Sequence, residues 1–407
     1  MRIRLFGLAV VVVLSLVVLI AGCAGVPPTP TPGSPGSSGP TPPVVSPSTT
    51  PTQATPKEGM TSPDYAVHVF LWGSPAVERD LRLAKEAGFT WIKQMFQWNY
   101  IEGNGKGKFG WDEPDRIVKA AEKVGVKILA RVDIAPNWAR DPSSDLTVSG
   151  PPKNAKDFAD FLFALASRYR KGSSHGRIHA YQIWNEPNLA REWGGKQPDP
   201  KQYVELLKAG YQAIKKADPN ALVITAGLSP TTATGAIAMP DIEFIKEMYK
   251  AGAKDYFDVL GAHGAGYKAP PEMSPDEVAA NPELSNFGEG AAGRVYCFRH
   301  VEDVRQVMVE HGDEAKKVAV LEFGWTSDPR PGSFYHWHAV TEEQKAEYIV
   351  RAYQYAAKNW RPWIGVMSVI YIANPNWGPQ DEQYYWSITN PDGTMRPAYE
   401  AIKRMPK

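Results

Sequence analysis

A chain of 407 residues, 43% of them hydrophobic and 22% charged, can bury a large core, which excludes disorder throughout. Lys and Arg total 45 against 44 Asp and Glu, and a net charge of +1 gives no field to steer the protein to nucleic acid or an acidic membrane surface. Two cysteines, Cys23 and Cys297, are too few for a disulfide framework or a four-cysteine zinc site, whereas 11% aromatic residues are enough to line a deep pocket with flat ring faces.

Arg2 and Arg4 precede an apolar run from Leu5 to Ile20 that closes on Ala21-Gly22, the charged, hydrophobic and small-residue layout of a secretory signal. The run is shorter than the ~20 residues that span a bilayer. Ile20-Ala21-Gly22-Cys23 resembles the bacterial lipobox, which implies that residues 1–22 are a signal peptide, that Cys23 is lipidated (palmitate included), and that the mature protein faces the cell surface or periplasm on a membrane anchor. Residues 23–63 read as a disordered tether, because Ala24 to Pro63 hold 12 of the 36 prolines among Ser, Thr and Gly, with no charge before Lys57. At ~3.1 Å per residue in polyproline II, such a segment holds a domain up to roughly 120 Å from its anchor.

From residue 64 to 407 apolar runs of strand length alternate with helix-period segments. The runs are Tyr65 to Gly73, Thr90 to Trp98, Lys127 to Ala135, Ile178 to Trp184, Ala221 to Gly227, Phe257 to Ala262, Lys317 to Phe323 and Gly365 to Ile372. The helical segments are Ala76 to Ala87, Asp112 to Val124, Asn154 to Arg170, Pro200 to Lys216, Asp241 to Lys250, His300 to His311, Thr341 to Asn359 and Arg396 to Arg404. Gly88, Gly125 and Gly252 stand where helices end. Eight such units predict an α/β fold, a (β/α)8 TIM barrel, over a doubly wound open sheet, since no Gly-rich phosphate loop follows the first strand. The longest excursion, Gly264 to Arg299, follows strand six and belongs to the face where barrel chemistry occurs.

Two strands end in glutamate at that face: strand four in Trp184-Asn185-Glu186-Pro187, strand seven in Leu321-Glu322-Phe323-Gly324. Glycosidic bond hydrolysis requires such a pair, one carboxyl protonated to assist the leaving oxygen and one ionised to attack. Asn185-Glu186 and Glu322 so placed resemble the clan A retaining glycoside hydrolases. The passage Phe96 to Glu102, with Gly107, Phe109 and Trp111-Asp112, resembles family 39 of that clan, the β-xylosidase, α-L-iduronidase and exopolysaccharide endoglycosidase group, with the cellulase-like family 5 as second choice. The resemblance implies that Glu186 is the acid/base, Glu322 the nucleophile and Asn185 a partner of the sugar 2-hydroxyl. The ionised Glu322 is expected to raise the Glu186 pKa, so that Glu186 starts protonated near neutral pH.

His263, ending strand six, and Tyr267 match a His and Tyr that family members place near the nucleophile, though at looser spacing, and Lys93 stands where the family often has Arg. Trp72, Trp98, Trp138, Trp325 and Trp377 fall at or just past strand ends and are expected to flank one cleft as stacking platforms for pyranose rings. The loop Gly332 to Ala339 reads as a substrate-contacting lid rather than a metal site, and Cys297 as a packed free thiol. The expected partner is a β-linked polysaccharide or oligosaccharide cut endo-fashion by a monomer, with no cofactor or metal, no nucleic acid, and contact with the membrane through the N-terminal lipid alone. Two alternatives share these features: a carbohydrate-binding, solute-binding-type lipoprotein, which predicts two lobes, and a transglycosylase using the same glutamates.

Overall fold

The computed structural model describes residues 59–286 and 290–407. The expected signal segment, Cys23 and the expected tether up to residue 58 lie outside the described residues. Eight parallel strands close in sequence order: β1 (Asp64–Val69), β2 (Trp91–Met95), β3 (Lys127–Val132), β4 (Ala180–Ile183), β5 (Leu222–Ile224), β6 (Val259–Ala265), β7 (Lys317–Gly324) and β8 (Ile364–Val369), with β8 pairing back to β1. Each is followed by a principal helix: α1 (Val77–Glu86), α2 (Asp112–Val124), α3 (Ala155–Arg168), α4 (Pro200–Ala217), α5 (Asp241–Lys250), α6 (His300–Glu310), α7 (Glu342–Asn359) and α8 (Pro397–Arg404). This is the predicted (β/α)8 barrel; a two-lobed solute-binding architecture is excluded.

Local chemistry explains the helix limits. Asp199 caps α4 by accepting from the Lys201 and Gln202 N–H groups, and Thr341 with Gln344 forms a reciprocal capping box on α7. Gly125 ends α2 at φ +73°, a left-handed conformation that costs glycine nothing.

The barrel interior is filled at its N-terminal end by Ala66, Trp91, Leu129, Ala180, Leu222, Val259, Ala319 and Val366. Met60, four residues before the expected domain boundary at residue 64, packs into the same cluster. The outward strand faces meet the helices in a second, larger core.

The excursion after β6 has its own small core of Ala269, Val278 and Cys297, and Cys297 is a buried free thiol. It is fastened to the barrel by Trp325 Nε1 donating to Ala269 O at 3.0 Å. A Cβ on Gly266 would sit 1.9 Å from the Trp325 ring, so only glycine lets the strand pass that indole.

Buried His300 on α6 lies between Asp241 (Nε2 to Oδ2 2.8 Å) and Asp303 (Nδ1 to Oδ2 3.1 Å). Burial lowers its pKa, but the Asp241 charge and hydrogen bond, with Asp303, prevail and raise it to about 9. A folded value above the unfolded one of about 6.5 means a stabilisation complete below pH 6.5 and lost as pH rises through 9. The unfolding free energy read from urea titration is therefore expected to fall between about pH 6 and pH 10, by up to about 3 kcal/mol, and this fall should vanish in His300→Gln. An equal fall in the variant would assign it to other groups.

Candidate active site

Side chains two apart on a strand share a face. Above the apolar plug this puts His68 beyond Ala66, Lys93 beyond Trp91, Arg131 beyond Leu129, Gln182 beyond Ala180 and Ser368 beyond Val366. Lys93 stands at mid-strand in β2, and the other four stand one residue before their strands end. The β6–β7 register slips between Ala262 and His263, which sets His263 level with Glu322.

Glu322 stands against two cations, Lys93 and Arg131, with the His68 ring beside it. Its Oε1 accepts from Lys93 Nζ at 2.6 Å, and Arg131 Nη1 and His68 Nδ1 each lie 3.7 Å from the same oxygen. Burial alone would raise the carboxyl, but Lys93, His263, His68 and Arg131 together hold it well below the usual carboxylate range. Lys93, fully buried, is thus the counter-ion of Glu322 in the position where the family often has Arg.

Glu186 is aimed by a strained turn: Trp184 at φ +70° and Glu186 at φ +43° are both left-handed, a conformation that costs about 1–3 kcal/mol per non-glycine residue and that clusters at functional sites. Asn188 ties the turn down, donating to Ser229 O and Met239 O and accepting from Ser229 N. The Glu186 N–H donates to Gly227 O at 3.0 Å. Its Oε1 meets His263 Nδ1 at 3.1 Å, and its Oε2 accepts from Arg191 Nη2 at 3.1 Å.

The expected protonated Glu186 is not what its protein neighbours favour. Burial and the Glu322 charge push its pKa up, but the hydrogen bond and charge of His263, with Arg191, override them and hold it at about 2. Sequence reasoning counted the neighbouring glutamate and missed Arg191, which arrives from the loop after β4. Two further carboxyls beside Arg191, Glu192 and Glu382, go the other way, to about 7, chiefly through burial.

Gly227 is a site residue that no motif announced. A Cβ there would lie 2.3 Å from the His263 ring, so glycine makes the space in which His263 reaches Glu186. Gly227→Ala is expected to displace His263 and lower kcat about tenfold or more with a smaller change in KM. A pure stability loss with unchanged kinetics would refute this seat.

The predicted aromatic platforms divide. Trp98 and Trp325 are fully buried and cannot stack on a sugar: Trp98 begins a short helix, Trp98–Glu102, and packs parallel to Phe161 at 5.5 Å, while Trp325 fastens the excursion. A position past a strand end does not by itself distinguish a rim face from the core beneath it. Trp72, Trp138 and Trp377 are half-buried. Trp377 stands edge-on to Phe70 at 4.6 Å and to Tyr371 at 5.4 Å, the two rings that in turn contact His68. Trp72 pairs with exposed Tyr100 at 5.4 Å, farther out on the rim. Asn185, buried, accepts from Gln182 Nε2 at 3.2 Å. Tyr267, half-buried at φ +52°, stacks with Trp337 of the loop after β7 at 6.0 Å, so the excursion and the expected lid meet through their rings.

The chain matches the family model described as Cellulase (glycosyl hydrolase family 5) over residues 49–259, just over half its length. It is 28% identical over 128 residues to a β-xylosidase of Geobacillus stearothermophilus, a match covering 30% of this chain and only a quarter (25%) of that relative. Among solved structures, a family 39 glycoside hydrolase from Bacteroides cellulosilyticus WH2 superposes with a TM-score of 0.60 at 22% identity, covering 84% of this chain and 62% of that one. GH5_18 from Streptomyces cattleya, in complex with GlcNAc, gives 0.59 at 13% identity, covering 85% and 80%. At these identities the structural likenesses establish the fold.

Proposed function

The chain belongs to the cellulase family, glycosyl hydrolase family 5, and we propose that this glycosidase retains anomeric configuration, cutting a β-linked polysaccharide or exopolysaccharide through a covalent glycosyl-enzyme. The observation that carries the proposal is the surroundings of Glu322: a carboxylate kept ionised by Lys93 and Arg131, with the His68 ring beside it and a second carboxyl, Glu186, across His263.

In this proposal Glu322 attacks the anomeric carbon while Glu186 gives its proton to the departing oxygen. Glu186 then takes a proton from the incoming water, which releases the sugar from Glu322 with its original configuration. The mechanism needs carboxyls ~5 to 5.5 Å apart. Asn185 would hold the sugar 2-hydroxyl, a contact that strengthens as the oxocarbenium character grows, and Trp377 and Tyr267 would line the cleft. The first step also serves a transglycosylase; longer products without a net gain in reducing ends would identify one. By the lipobox resemblance the enzyme is proposed to work on a lipid anchor at Cys23, facing the cell surface or periplasm.

The test is release of new reducing ends from xylans, glucans, mannans, galactans and bacterial exopolysaccharides, with the first-formed anomer read by proton NMR. A β product from a β linkage is expected. An α product would replace double displacement with inversion.

A further inference from the structure

Gln182 stands one residue before the end of β4 and is fully buried. Its Nε2 lies 2.8 Å from Trp184 O and 3.2 Å from Asn185 Oδ1. A backbone carbonyl can only accept, so the end of the Gln182 amide that meets Trp184 has to be the NH2 group. That same nitrogen can only donate, so Asn185 has to turn its oxygen towards it. One fixed acceptor thus sets the orientation of two amides in turn.

The acceptor is held from several sides. Trp184, at φ +70°, donates its N–H to Val132 O at 2.9 Å and its indole Nε1 to Glu192 O at 3.0 Å. The carbonyl before it, Ile183 O, accepts from the Tyr203 hydroxyl at 3.0 Å. Gln182 Oε1 is sealed in the barrel with no partner, so no competing donor turns that amide round. Asn185 Nδ2, by contrast, meets no acceptor among the described residues and stays open to solvent.

We propose that Gln182 is a positioning residue that locks Asn185 as a hydrogen-bond donor and so restricts the sugar at the point of cleavage to one with an acceptor at C2. A hydroxyl qualifies, because its oxygen takes the Asn185 N–H. A 2-deoxy sugar leaves that donor unmet, and a 2-ammonium group, which has no lone pair, sets donor against donor. The proposal rests on the glycosidase reading and on Asn185 meeting the C2 substituent.

Two measurements test it. Neutron diffraction from the perdeuterated protein is expected to place the Gln182 amide deuterons on Trp184 O and Asn185 Oδ1, with those of Asn185 turned away from Gln182. Asn185 deuterons on Gln182 would overturn the lock. The second measurement is kcat/KM for 4-nitrophenyl β-glycosides of gluco, galacto and xylo configuration, each beside its 2-deoxy counterpart. The ratio within a pair is expected to be about tenfold or more smaller in Gln182→Met than in the unaltered protein, and intrinsic reactivity cancels in that comparison. A packing role would slow both members of a pair alike. Asn185→Ala should show the same reduced ratio, and adding Gln182→Met to it should lower the ratio no further. A ratio unchanged in Gln182→Met but reduced in Asn185→Ala would overturn the lock; a ratio unchanged in both would overturn the C2 contact beneath it. Should Gln182→Met fail to fold, or no nitrophenyl glycoside be turned over, the neutron map decides. Failure of the glycosidase reading is seen separately, as no reducing ends from any glycan with the unaltered protein.

Discussion

Glu322→Ala is expected to lower kcat/KM by about 10⁴-fold or more, and azide is expected to restore part of the lost rate, giving a glycosyl azide of inverted anomeric configuration. The alanine opens the space where the carboxylate stood, so a small anion reaches the anomeric carbon from the same side and makes the first bond in its place. Lys93 complicates the experiment. Removing Glu322 leaves a fully buried ammonium without its 2.6 Å partner, and breaking a buried pair costs about 3–5 kcal/mol. Glu322→Gln keeps an oxygen for Lys93 and should lose activity just as deeply while melting closer to the unaltered protein. Hydrolysis within tenfold of the unaltered protein in both variants would remove Glu322 from the mechanism. Lost activity without azide rescue, in a folded Glu322→Ala protein, would leave Glu322 with a positioning role.

The barrel was legible because its signal is redundant: eight alternations of period two and period 3.6, with glycine at helix ends. Both glutamates were legible because strand ends on one barrel face converge. What surrounds them was harder to read. Arg131, His68 and Gln182 each carried a local sign, a polar residue inside an otherwise apolar strand, two positions after a small or bulky plug residue. That sign gives the layer and not the partner. Arg191 and Gly227 carried none, since one works through a loop conformation and the other through the space a missing Cβ leaves for a ring from the next strand. Trp98 and Trp325 show the converse: a tryptophan past a strand end satisfies two patterns, rim platform and core wedge, and burial alone separates them.

Glu186→Ala should discriminate by leaving group. On glycans, whose departing alkoxide needs a proton, general acid assistance is worth about 10²–10⁴-fold, and that much should be lost; on a dinitrophenyl glycoside, whose leaving group departs unaided, the first step should hardly slow. Equal losses on both would make Glu186 a structural group. The acid must also acquire its proton among protein neighbours that hold it near 2. Of the two groups responsible, His263 is buried and seated by Gly227, whereas Arg191 is 62% exposed and joined to Glu186 by one contact of 3.1 Å. A sugar entering on the leaving-group side can move Arg191 aside without disturbing the barrel, and burial and the Glu322 charge then act upward on Glu186 unopposed by it. Glu192 and Glu382, both near 7, offer Arg191 other carboxyls in the same field. Arg191→Gln is therefore expected to move the alkaline limb of kcat/KM, which reports the free enzyme, to higher pH. The limb of kcat, which reports the filled cleft, should move less. Equal movement of both limbs would mean that Arg191 stays on Glu186 throughout turnover, and no movement of either would leave His263 alone to set the proton affinity of the acid.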